Sequence, residues 1–299
     1  MTSSVVSAKN TRLPSGYPLL VFLDNNVWNH LVDRPKEALH VDVLVRAFHA
    51  GLLQVVSTLA LEEEIVGAAR QEGRKYREMR RLHHKLVGRR SLLPLNERHI
   101  AEARHGGKLP VTVRYNSKAR QDQVRRFAGK HEESLLVGDE VWAAKQATYV
   151  RQVEARTAVR SRLEGLGARP DTAVNEWFGS ADIANWVKDL VDDSVSRGVF
   201  SWSGEEEISA SRFPSSWLLV AYTMARIKRT VADNRKIQPS DHHDAEHCAA
   251  GAYFDVLVTS DKEFATTLGL IPDLPFKVTS PIEFSQTLDQ LLGVTPTGK

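Results

Sequence analysis

Apolar positions fall into short unbroken runs separated by stretches of helical period. Residues 19–23 (LLVFL), 52–58 (LLQVVST), 254–261 (FDVLVTSD) and 275–280 (PFKVTS) are short and rich in β-branched or aromatic side chains, the pattern of buried strands. Between them lie helical patterns. Residues 36–50 (KEALHVDVLVRAFHA) stop at Gly51, and LALEEEIVGAARQ (59–71) opens with three consecutive acids. PSSWLLVAYTMARIKRTVADN (214–234) starts on Pro and Ser, SDHHDAEHCAAGAYF (240–254) is acidic at its start, and PIEFSQTLDQLLG (281–293) has Pro in its first turn. Strands alternating with helices predict an α/β fold with a mostly parallel sheet.

From about 71 to 211 the period is almost purely helical. REMRRLHHKLVGRR (77–90), DEVWAAKQATYVRQVEARTAVRSRLEGL (139–166) and SADIANWVKDLVDDSVSRG (180–198) carry it, and LPVTVRY (109–115) is the one run that reads as a strand. The expected organisation is a flexible lead over 1–17, an α/β domain built from 18–70 and 212–293, a helical insertion over 71–211, and a flexible tail over 294–299.

Composition adds exclusions. Of 299 residues, 42% are hydrophobic and 26% charged, ordinary for a soluble globular chain. No apolar run approaches the roughly 20 residues that span a bilayer, and the N-terminus lacks an apolar secretion segment. The lone Cys248 excludes an intramolecular disulfide and a cysteine-rich zinc site. A cytoplasmic, non-membrane protein is expected.

Charge is unevenly placed. Residues 70–130 hold 18 Lys plus Arg against 5 Asp plus Glu, or +13, so the remaining 22 against 32 gives −10 within a net +3. Such a split attracts a polyanion to one part of the surface. Arg74, Lys75, Arg77, Arg80, Arg81, Lys85, Arg89, Arg90, Arg125 and Arg126 are the candidates for holding a nucleic-acid backbone.

The candidate chemistry starts at LDNNVW, where an apolar strand ends on Asp24. Asp24 alone could simply cap a helix. In an open parallel sheet, however, ligands sit beyond the carboxyl ends of the strands. LVTSD delivers Asp261 to that edge, and Glu62, Glu63 or Glu64 arrives on the helix after the second strand. Asp241, Asp244 and His247, spaced by threes, share one side of another helix. HHDAEH lacks the His-Glu-x-x-His order of a zinc-protease helix. Carboxylates gathered at one edge repel unless protonated or neutralised, and the natural neutraliser is one or two hard cations, Mg²⁺ or Mn²⁺. A phosphatase built on a strand-end Asp needs a second acid where Asn26 stands, and a dinucleotide fold needs a glycine-rich turn that DNNVW lacks.

These stretches resemble the PIN-domain nucleases over 18–70 and 214–292, about half the chain. LDNNVW is similar to the first family motif, with Asp24 and Asn26 in register, and STLALEEEI to the second, which points to Glu63 counting from Ser57. SDHHDAEHCAAGAYFDVLVTSDKEF resembles the third and fourth, aligning Asp244, Thr259 and Asp261; KVTSPIEF resembles the closing strand and helix. The resemblance implies a three-layer α/β/α domain interrupted by the insertion, with Asp24, Glu63, Asp244 and Asp261 as catalytic metal ligands. Asn26, Asp241, His247 and Thr259 would support them, with Glu62, Glu64 and Asp241 left open as alternative acids. The implied activity is metal-dependent endoribonuclease cleavage to 5′-phosphate and 3′-hydroxyl ends, in a toxin or defence role under an inhibitory or activating partner, in a chain that can pair with itself. A non-catalytic RNA-binding module with a structural cation, or a nuclease for DNA flaps and nicks, are the alternatives.

Overall fold

The computed structural model describes residues 18–34, 39–68, 73–117, 180–196, 207–232 and 241–293, with isolated positions between 150 and 169. The expected lead and tail, Arg125 and Arg126, and most of the helix expected over 139–166 lie outside the described residues. Four strands, β1 (Leu19–Leu23), β2 (Leu53–Val56), β3 (Val256–Val258) and β4 (Lys277–Thr279), form one all-parallel sheet in the order β2-β1-β3-β4. The chain steps from β1 to β2 on one side and later returns to place β3 on the other. Strand order therefore reverses between β1 and β3, the place where parallel sheets open a crevice at their carboxyl ends. The register pairs Phe22 with Leu257 and Leu23 with Val258, bringing Asp24 level with Thr259.

Consecutive residues of β1 and β3 are buried without alternation, as expected of a parallel sheet covered by helices on both faces. Among the described residues the helices are α1 (Asn25–Asp33), α2 (Val41–His49), α3 (Leu59–Ala68), α4 (Gly73–Val87), α5 (Leu95–His105), α6 (Val111–Arg114), α7 (Ser180–Ser196), α8 (Pro214–Ala232), α9 (Asp241–Ala250), α10 (Lys262–Leu268) and α11 (Pro281–Leu291). Their limits follow local chemistry. Gly51 ends the turn after α2 at φ 72°, a left-handed conformation that suits glycine. Ser280 and Glu283 form a reciprocal capping box on α11 beside its N-terminal proline.

α4 turns Tyr76, Met79, Leu86 and Val87 into the core against α1, α3 and β2. Its other side exposes Arg77, Arg81 and Lys85, four residues apart and so on one stripe. α8, the longest helix among the described residues, packs on α5, α7, α9 and α10. The strand expected at 109–115 is instead the short α6. The ring of Pro110 holds its own φ at −64°, and its carbonyl accepts from the amides of Val113 and Arg114 at 3.0 and 3.1 Å. Only Tyr115 keeps a ladder contact, an isolated antiparallel bridge to Leu92.

Candidate metal centre

Asp24 stands at the end of β1 and is the N-cap of α1. Its Oδ1 accepts from the amide of Asn25 at 2.8 Å, and Oδ2 accepts from the hydroxyl of Thr259 at 2.8 Å. The same hydroxyl accepts from the amide of Asp261 at 3.0 Å, so Thr259 ties together the ends of β1 and β3. Asp261 caps α10, its Oδ1 accepting from the amides of Glu263 and Phe264 at 2.8 and 3.0 Å. Both acids thus cap helices, and capping accounts for only some of their oxygens.

Glu64 comes from α3 and His247 from α9. His247 is fully buried, tilted against the ring of Phe22. Its Nδ1 lies 3.8 Å from Asp24 Oδ1 and its Nε2 3.5 Å from Glu64 Oε2; the other Glu64 oxygen lies 3.3 Å from Nδ1 of His243. Asp24, Glu64 and His247 each offer one ligand atom, all within 4.8 Å of one another, so this group could hold a metal ion. Two carboxylate oxygens and an imidazole nitrogen are a donor set that suits a divalent first-row metal.

Asp244, one turn before His247, accepts from the Tyr222 hydroxyl at 3.4 Å and lies 3.6 Å from the Arg226 guanidinium. The acids affect one another strongly. Burial, then the Glu64 carboxylate, pushes Asp24 from 3.8 up to about 7, against the opposing hydrogen bonds from Thr259 and Asn25. Burial and the Asp24 charge push Asp244 up to about 8, with Arg226 pulling the other way. Asp261 adds to the repulsion on both. A cation among them would reverse these preferences by favouring the ionised forms.

Three of the four expected acids, Asp24, Asp244 and Asp261, therefore share one electrostatic site. The side chain of Glu63 lies outside the described residues, and Glu64 is the α3 acid placed at the centre. Among the described side chains of α3, Ala60, Leu61 and Ile65 are buried, and at 3.6 residues per turn Glu64 falls among them. Asp241 is buried and ion-paired with Arg226, an arrangement that occupies its carboxylate away from His247. Asn26 is exposed, whereas Asn25 is half-buried with an Oδ1 that receives no hydrogen bond among the described residues. Tyr222 and Arg226 carry no local motif, and the one sequence signal is an arginine inside the apolar face of a long helix, which calls for a buried anion.

The basic candidates on α4 sit beside the centre through α1 and α3, the helices that follow Asp24 and carry Glu64. Arg74 pairs with Glu78 at 3.1 Å and Lys75 with Asp33 at 2.6 Å; Arg77, Arg81, Lys85 and Arg89 are exposed, Arg80 and Arg90 half-buried. No helix among the described residues is long and apolar enough to cross a membrane. The chain matches no family model, no curated protein and no solved structure.

Proposed function

We propose that the chain is a PIN-like, divalent-cation-dependent phosphodiesterase that cleaves RNA endonucleolytically. The observation that carries this reading is the convergence of Asp24, Glu64 and His247 at the reversal point of a parallel sheet, with Asp244 and Asp261 adding charge around them. Asp24, Glu64 and His247 would hold the ion. The imidazole nitrogen moves the preference from Mg²⁺ toward Mn²⁺, since nitrogen ligands favour the later first-row ions. An ion there would supply Lewis acidity and a more acidic bound water.

The chain's own residues do the rest. Thr259 fixes the Asp24 carboxylate by donating to Oδ2 and orients the Asp261 backbone. Arg226 holds Asp241 and favours the ionised form of Asp244 against burial and its acidic neighbours. The Arg77, Arg81 and Lys85 stripe holds the phosphate backbone, an attraction that weakens with salt. Hydrolysis at such a centre leaves 5′-phosphate and 3′-hydroxyl ends. A toxin or defence role, with an inhibitory or activating partner, is consistent with a nuclease that must be restrained.

One observation favours a second reading. Each ring nitrogen of His247 faces one carboxylate, and an Asp–His–Glu triad of this kind can be a structural element in a binding module without catalysis. Labelled RNA and DNA incubated with purified protein in Mn²⁺, Mg²⁺ or EDTA separate the readings. Metal-dependent cleavage of RNA supports the nuclease. Cleavage of DNA alone redirects the substrate assignment, and RNA binding in every lane without cleavage supports the module.

A further inference from the structure

A second polar feature lies at the N-terminus of α3, with Ala60 on its wall one helical turn from Glu64. A cavity of about 310 Å³ opens between the starts of α3 and α5, with Leu59, Leu93 and Pro94 as apolar wall and Asn96, Arg98 and Glu246 as polar wall. Its size reaches the lower end of small-molecule sites, about 300 Å³. Both helices exceed two turns, and residues at their N-terminal, positive dipole ends line the cavity. Thr58 uses its hydroxyl to cap the Leu61 amide at 3.1 Å on α3, whereas Pro94, at the N-cap of α5, makes no side-chain cap.

Arg98 is the independent observation. It is 1% exposed, forms no ion pair among the described residues, and its Nε and one terminal nitrogen are buried without an acceptor. The acid nearest in charge terms, Glu102, is committed elsewhere: it accepts from the Tyr253 hydroxyl at 2.6 Å and from the Ser215 amide at 3.2 Å. A buried guanidinium with open donors is costly unless an anion completes it. Its planar fork matches a phosphate or carboxylate edge.

Glu246 decides between a bare anion and a larger one. A carboxylate on the wall repels free phosphate but accepts hydrogen bonds from hydroxyls, and the apolar residues give an organic portion a surface to pack on. We propose that this cavity is a binding site for a nucleotide-sized phosphate ester, with its phosphate on Arg98 and the α5 N-terminus and its hydroxyls toward Glu246. The shared chemistry fits either a free mononucleotide or the 5′-phosphorylated end of a strand. The assignment goes beyond the metal-centre reading and does not rest on it.

The test is calorimetric titration of the full chain in EDTA with adenosine 5′-monophosphate, inorganic phosphate and adenosine. The nucleotide is expected to bind more tightly than phosphate or adenosine. Arg98→Met is expected to weaken it about tenfold or more, the loss of a charge-assisted hydrogen bond. Asn96→Glu, at an exposed position of the rim, places a like charge by the phosphate and weakens binding in the same direction without touching the core. Should the Arg98 variant fail to fold, the Asn96 variant decides alone. A 5′-phosphorylated oligoribonucleotide binding better than its 5′-hydroxyl twin assigns the strand end; equal binding of the two, with the mononucleotide bound, assigns the free nucleotide. No binding of the nucleotide, phosphate binding as tightly as the ester, or unchanged affinity in the folded variants overturns the proposal. EDTA keeps this result separate from the acid centre, because a failed metal site leaves it unaltered.

Discussion

Replacing Asp24 by Asn should make the metal-free protein more stable, and only above the pH at which the wild-type carboxylate ionises in the unfolded chain. The Asp24 carboxyl rises from 3.8 to about 7 because it is buried and faces the Glu64 carboxylate. At 1.36 kcal/mol per unit, a rise of about three units is about 4 kcal/mol of instability at pH 8. An amide keeps a side-chain oxygen to accept from Asn25 or Thr259 but not both on equal terms, which returns about 1–2 kcal/mol. The net gain of about 2–3 kcal/mol corresponds to a rise in Tm of about 4–8 °C for a domain of this size. The sign follows from linkage. A folded pKa above the unfolded one means the folded state binds more protons, so wild-type stability is fully present below about pH 4. It falls as pH rises toward 7 and is level beyond. Asp244, pushed to about 8 by burial and the Asp24 charge, extends the same loss upward. Thermal unfolding in EDTA at pH 4.5 and 8 reads the difference. The variant should gain at pH 8 and show little or no gain at pH 4.5. Equal destabilisation at both pH values would refute the reasoning, because it would make Asp24 a helix cap and nothing more.

Three other outcomes follow from the same geometry. Adding Mn²⁺ at 100 times its Kd should stabilise the wild type by about 2.7 kcal/mol at pH 7.5, while His247→Gln should lose most of that gain and keep its EDTA Tm within a few degrees; a full Mn²⁺ response in the variant removes His247 from the ligand set. Arg226→Met strands the buried Asp241 and should cost about 3–5 kcal/mol in chemical denaturation, with Asp241→Asn restoring much of it in the double variant; strictly additive losses would contradict the pairing. Arg77, Arg81 and Lys85 changed together to Gln should weaken single-stranded RNA binding and reduce the slope of log K against log salt by about 2, from three phosphate contacts at about 0.7 each, with Tm unchanged; an unchanged slope places the nucleic acid elsewhere.

Much of the centre could be read in the sequence because its first elements are local. An apolar run that ends on an acid announces both a buried strand and a carboxylate at its carboxyl end, which is why Asp24 and Asp261 were evident. Thr259 followed from the same strand. The α3 acid was open among Glu62, Glu63 and Glu64 because a spacing count carries no orientation. Leu59 and Val66 spread the apolar positions around the helix, so only the burial of Ala60, Leu61 and Ile65 in the fold gives the orientation that brings Glu64 inward. The choice between Asp241 and Asp244 needed tertiary information: both lie on one helical side, and only Arg226, from a separate helix, takes Asp241 into an ion pair. His247 was read as a supporting residue for want of a zinc-type spacing. Its two partners, Asp24 and Glu64, come from two other elements, which no local motif can register. Asn26, expected to order the site, is exposed on the first turn of α1. The 109–115 run alternates valines as a strand does, yet Pro110, whose fixed φ starts a helical turn, decides its structure.

The central claim is that Asp24, Glu64 and His247 together hold a catalytic divalent ion. The most direct measurement is Mn²⁺ binding by electron paramagnetic resonance, made on the wild type, Asp24→Asn and Glu64→Gln, with cleavage of labelled RNA followed in the same samples. The account predicts a saturable Mn²⁺ site in the wild type, loss of that site in both variants, and loss of cleavage in parallel. Cleavage that persists in the variants, or a folded wild type that takes up no Mn²⁺, would contradict it.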